Sequence, residues 1–252
     1  MNTALHADRS TSTSTSTSAE GARTEQRHSV TSPAPSEPRR GGRATWPILG
    51  AVGAVTGLAS VLVSMPSLSD AQRASGVEVI DRLEPGGYRV GFVLGLLSVG
   101  CLLAASSGWR RWAARRVPDS LAGRTLAQGL AATATINVIF SCLMGSMGLY
   151  LAGGAEPGGI SRAGMFTNFT LLDFGPLLGW WGAAVSAICV AVLAFGSSKA
   201  LPRWMGVVSV VLLMPPLAMA LAVSLPGFVG LTMPIWLLVI SIGMVFSRAA
   251  RA

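Results

Sequence analysis

Residues Thr125 to Leu151 read TLAQGLAATATINVIFSCLMGSMGLYL, a run without a single charged side chain. An α-helix needs about 20 apolar residues to cross the roughly 30 Å hydrocarbon layer of a bilayer, so this run is long enough to span one. Within it Thr133, Asn137, Ser141 and Gly145 recur every four residues, which places them on one helix face. An amide left without a partner in hydrocarbon costs several kcal/mol, so that face is expected to point into a bundle and the helix to stand near its centre.

The rest of the chain has the composition that such a helix requires. Of 252 residues, 51% are hydrophobic and 12% charged, against about 25% charged in an ordinary soluble domain. The 19 Lys and Arg exceed the 11 Asp and Glu, but the arginines cluster beside apolar runs with no aromatic interleaving on a basic face. That is the topogenic pattern of a membrane protein and excludes nucleic acid as a partner; the partner implied is the lipid bilayer.

Residues 1–45 hold the alternating Thr/Ser run Thr11 to Ser18, then Ser32-Pro33-Ala34-Pro35-Ser36 and the basic group Arg39, Arg40 and Arg43. This segment cannot bury a core and is expected to be a disordered Ser/Thr/Pro-rich tail. It is too long for the n-region of a signal peptide, and Arg39-Arg40 lacks the apolar follow-on of a twin-arginine signal.

Six spans follow, at about 46–64, 90–109, 127–150, 176–196, 204–223 and 229–247, which makes residues 46–247 an all-α transmembrane domain with a short C-terminus at 248–252. Gly53 and Gly57 in the first span and Gly91 and Gly95 in the second form small-xxx-small pairs, faces for close helix packing or for a protein partner or second copy. Between these spans Ser69 to Leu83 is expected to form a short surface helix with Ser69 or Asp70 as N-cap, resting on the bilayer or lying as a lid over a cavity. Counting 20 residues back from Phe195 starts the fourth span at Pro176. Asp173 then lies one turn outside the hydrocarbon, either as an acid favoured by the helix dipole or in a site with Arg162 or Asn168. Trp204 to Ser247 is uncharged and too long for one helix, and Ser224-Leu225-Pro226-Gly227 divides it into the fifth and sixth spans. Pro215 and Pro216 interrupt the fifth, either as tolerated prolines or as the break that shapes a midplane site.

An even number of spans puts both termini on one side. Counted from Arg39 onward, twelve Lys and Arg lie on that side, the loop 110–124 alone supplying five, and four on the other. Both termini are therefore expected in the cytoplasm.

The short loop Leu201-Pro202-Arg203-Trp204-Met205-Gly206, entering an apolar helix, resembles the corresponding loop in a group of bacterial six-helix integral membrane proteins whose domain has no assigned function. The similarity in span layout covers about residues 44–247. It implies the six-helix architecture and a bacterial cytoplasmic (inner) membrane, and no catalytic residues.

What the spans lack limits the chemistry. His6 and His28 lie in the tail, so no span supplies a histidine base or metal ligand. Asp173 alone cannot form a carboxylate dyad. Lys199 sits in a loop, Cys101, Cys142 and Cys189 have no Cys-x-x-Cys spacing, and no phosphate loop or dinucleotide fingerprint occurs. No cofactor is implied and no enzyme is expected. What remains is a structural, sensory or partner-binding membrane component or, as the alternative, a small-solute transporter. Thr133, Asn137, Ser141, Asp173, Pro215 and Pro216 are the residues placed to meet a solute.

Overall fold

The structure, a computed structural model, describes residues 45–247; the expected tail disorder and the cytoplasmic C-terminus fall on residues outside that range. Among the described residues there are helices and no strands. The helices are α1 (Trp46–Ser64), α2 (Asp70–Arg73), α3 (Pro85–Arg116), α4 (Leu121–Tyr150), α5 (Arg162–Leu178), α6 (Trp181–Phe195), α7 (Arg203–Val223) and α8 (Val229–Phe246). Six spans are long and apolar enough to cross a membrane: α1, α3, α4, α5 with α6, α7, and α8 with the short 3-10 turn before it. This is the layout of a multi-pass membrane protein.

The spans form a ring in which α1 packs on α3, α3 on α4, α4 on α6, α6 on α7, α7 on α8, and α8 back on α1. Helix α6 also reaches α8 across the ring, and α5 leans on α4 and α8. Helix α4 is not the most enclosed: 33% of its apolar stretch is buried, against 61% for the α5–α6 span and 56% for the last span. The sequence of α6, WGAAVSAICVAVLAF, explains the difference. Its small residues let neighbouring backbones close around it, whereas the polar face of α4 occupies only one side of that helix.

The glycine pairs are used up inside the chain. A Cβ on Gly53 would touch Cys101 of α3, and one on Gly91 would meet Ser64 of α1 and Met144 of α4. Gly57 lies against the Trp180 ring and Gly95 against Ser141. All four are buried. The expectation that these glycines are available to a partner or second copy is therefore revised: α1, α3, α4 and the Trp180 ring between α5 and α6 fill their faces.

Serines stitch the same seams. Ser60 Oγ donates to the Gly91 carbonyl (2.6 Å), Ser98 Oγ to Gly53 (2.7 Å), Ser106 Oγ to Ala127 (2.7 Å) and Ser186 Oγ to Leu126 (2.8 Å). Each hydroxyl is thereby satisfied where water is absent.

Two elements differ from their expected limits. Ser69 caps α2 in a reciprocal box with Gln72, but the helix stops at Arg73 because Gly76 adopts φ +64. A 3-10 stretch, Gly76–Arg82, continues the segment, and Gly86 and Gly87 belong to the first turn of α3. The fourth span begins at Arg162, capped by Ser161, so Pro176 lies inside α5 and not in a first turn. A count of apolar residues measures hydrocarbon thickness, and α5 extends beyond it.

Candidate functional site

At one end of the bundle the segment 65–84, which joins α1 to α3, folds against α5. Val79, Ile80 and Leu83 pack with Tyr88, Met147, Met165 and Phe169 in a buried cluster. Two ion pairs clasp the segment to α5: Arg73 to Asp173 at 2.7 Å and Asp81 to Arg162 at 2.5 Å. Arg89 holds the next loop through the carbonyls of Gly148 (3.0 Å) and Gly153 (3.3 Å), and Asn168 donates to Ser146 Oγ at 2.9 Å. The partner of Asp173 is thus Arg73, and not Arg162 or Asn168. Asp173 stands in the fourth turn of α5, away from the helix N-terminus, so the charge of Arg73 and not the helix dipole faces it.

Under this cap three spaces succeed one another. An open cleft of about 330 Å³ is lined by Ser64, Met65, Pro66, Arg82, Glu84 and Tyr88. Beneath it, a cavity of about 10 Å³ lies between Ser64, Tyr88, Leu172, Asp173 and Pro176. Further along the bundle, a partly open pocket of about 20 Å³ is bounded by Ser60, Ser98, Asn137, Phe140 and Ser141. Tyr88 lines the first two, and Val61 and Pro176 line the last two. A space of 10 to 15 Å³ suffices for about one water, so the two small spaces suit water or a bare ion and not an organic solute.

Tyr88 is the oddity of the site. It is 3% exposed, and its hydroxyl has no hydrogen-bond partner among the described residues. An orphaned buried hydroxyl costs about 1–3 kcal/mol, so its place between cleft and cavity points to a binding role. Nearby, Pro176 offers no N–H to the Leu172 carbonyl, leaving an acceptor on the cavity wall.

The four-residue row on α4 divides among several neighbours. Thr133 meets α6, where a Cβ on Gly182 would touch its hydroxyl; Ser141 meets Gly95 of α3. Both hydroxyls donate back along α4, Thr133 to Gly129 (3.2 Å) and Ser141 to Asn137 (2.8 Å). Neither serves the Asn137 amide, which has no hydrogen-bond partner among the described residues. Asn137 is half-buried, lines the partly open pocket and presses its Oδ1 toward Gly179, at the junction of α5 and α6. Pro215 is exposed and Pro216 buried on α7, which packs on α6 and α8, so the structure sets them apart from the α4 row. Tyr88, Arg73, Ser60 and Ser98 were not singled out by sequence. Of these only Tyr88 carried a signal, as one of two tyrosines in the chain.

No group of three or more His, Cys, Asp or Glu is placed to hold a metal among the described residues. Comparison with known proteins finds no family model, no curated protein and no solved structure that matches this chain.

Proposed function

We propose that this chain is a non-catalytic sensory or partner-binding membrane component that takes a small ligand or a short polypeptide segment into the cleft at its capped end. The observation that carries this reading is the buried, unpartnered hydroxyl of Tyr88 at the cleft floor. About 330 Å³ is at the small end of ligand sites. Arg82 and Glu84 at its rim offer both signs of charge, and the ion pairs to α5 are exposed enough to open. The expectation of both termini in the cytoplasm of a bacterial inner membrane belongs to the same proposal and puts the cleft on the far face.

The test is copurification of the intact protein from its native membrane, with mass spectrometry of what accompanies it. Tyr88→Phe and a cleft-filling Ser67→Trp variant are run in parallel. A component retained by the parent and lost from both variants supports the cleft; identical inventories overturn it.

A transporter remains the second reading, favoured by the Asn137 amide, unpartnered among the described residues, and by the succession of spaces from the cleft toward it. Aqueous thiol labelling of Asn137→Cys, together with flux of labelled small solutes and ions into reconstituted vesicles, tests it. Labelling and flux together support transport; a protected thiol without flux removes it.

A further inference from the structure

At the opposite end, α3 and α4 run antiparallel beyond their apolar stretches and leave a groove of about 680 Å³ between them. Its floor is made of small side chains. Ser106 donates to the Ala127 carbonyl at 2.7 Å, and a Cβ on Gly123 would already touch Val117 and Ala113, so the two backbones lie close and no large side chain fills the space above them. One wall carries Leu103, Ser107 and Arg110 from α3; the other carries Arg124, Gln128 and Ala131 from α4.

These walls are graded by depth. Arg110 and Arg124 stand at the mouth, Ser107 and Gln128 about one turn below, and Leu103 and Ala131 below those, roughly 10 Å from Arg110 along the axis. Arg124 is held by a bond from its guanidinium to the Pro118 carbonyl (3.0 Å). Among the described residues neither Arg110 nor Arg124 has a carboxylate partner. Cation, then neutral hydrogen-bonding groups, then hydrocarbon is the complement of phosphate, glycerol ester and acyl chain.

We propose that the groove between α3 and α4 holds one anionic phospholipid, its phosphate between Arg110 and Arg124 and one acyl chain along Leu103 and Ala131. The occupant is a lipid and not free phosphate because the groove runs on into the membrane-facing part of both helices, where Leu103 is exposed. Arginine suits this position, since its planar fork binds phosphate oxygens in pairs.

The full chain in neutral detergent, titrated with phosphatidylglycerol, phosphatidylcholine or inorganic phosphate, tests the assignment through the thermal midpoint and through lipid retained in native mass spectrometry. Phosphatidylglycerol is expected to raise the midpoint of the parent protein and to be retained. Arg110→Gln with Arg124→Gln should weaken that retention roughly thirtyfold, at about 1 kcal/mol per arginine. Arg115→Gln with Arg116→Gln, which removes equal charge outside the groove, should leave it intact. If the first double variant fails to fold, Ser107→Trp, which fills the slot without changing charge, must lose the retention instead. Equal loss in both arginine double variants, an equal response to phosphatidylcholine, or an equal response to inorganic phosphate would each overturn the proposal.

Discussion

The two ends of the bundle spend charge in opposite ways. At the capped end, Arg73 and Arg162 are each matched to an aspartate, and Arg89 is matched to two carbonyls. The charges there tie loop to helix over a buried cluster. At the other end, Arg110, Arg111, Arg115 and Arg116 stand exposed outside a seam of Trp46, Trp109 and Trp112, whose rings meet edge to face at 5.0 and 5.3 Å. Aromatic packing dominates that end, and these four arginines make no ion pair among the described residues. Where charge is internally paired it builds shape; where it is not, it is available for a ligand.

The sharpest way to break this contrast is Trp109→Ala. Trp109 is 1% exposed and touches both other rings, so its loss should cost about 3–5 kcal/mol of unfolding free energy. Loss of the arginine side chains beside it should cost far less by the same denaturation measurement; the reverse order would make charge the organiser of both ends. Asn137→Ala, midway between them, should cost under about 2 kcal/mol, because interhelical hydrogen bonds in membranes are individually weak and this amide makes none among the described residues. Tyr88→Phe should raise thermal stability by about 1 kcal/mol, since it deletes a buried hydroxyl without a partner. An unchanged midpoint would mean that the hydroxyl is satisfied in solution. The smallest effect belongs to Asp173→Asn, within about 0.2–1 kcal/mol for a partly exposed pair, and it should vanish near about 1 M salt. Hydrogen exchange in residues 65–84 should quicken in the same variant, which distinguishes a loosened cap from a loosened bundle.

Much of this was readable from spacing and composition. The six spans, the helix break at Ser224 and the close approach at Gly53 and Gly91 follow from hydropathy, turn chemistry and small-residue periodicity, all of which are local. The start of α5 was not, because Arg162, Thr167, Asn168, Thr170 and Asp173 make its first part too polar for an apolar count to include. Nor was the Arg73–Asp173 pair, which joins residues 100 positions apart. The importance of Tyr88 depends on what fails to reach its hydroxyl, a property of the packed chain with no trace in the residues flanking it. The polar row on α4 was visible as a periodicity, but its division among α3, α5 and α6 depends on how those helices are stacked.

The contact between Asn137 and Gly179 has a consequence for how such a chain can change over generations. Any side chain at 179 would occupy the place of the Asn137 Oδ1, and that oxygen is the far end of a half-buried side chain that can turn aside. Sequences sharing this bundle are therefore expected to admit alanine at 179 beside an amide at 137, with the amide in a different rotamer. A single Gly179→Ala in the present chain should cost little stability while turning the Asn137 amide, and Asn137→Ala should remove even that cost.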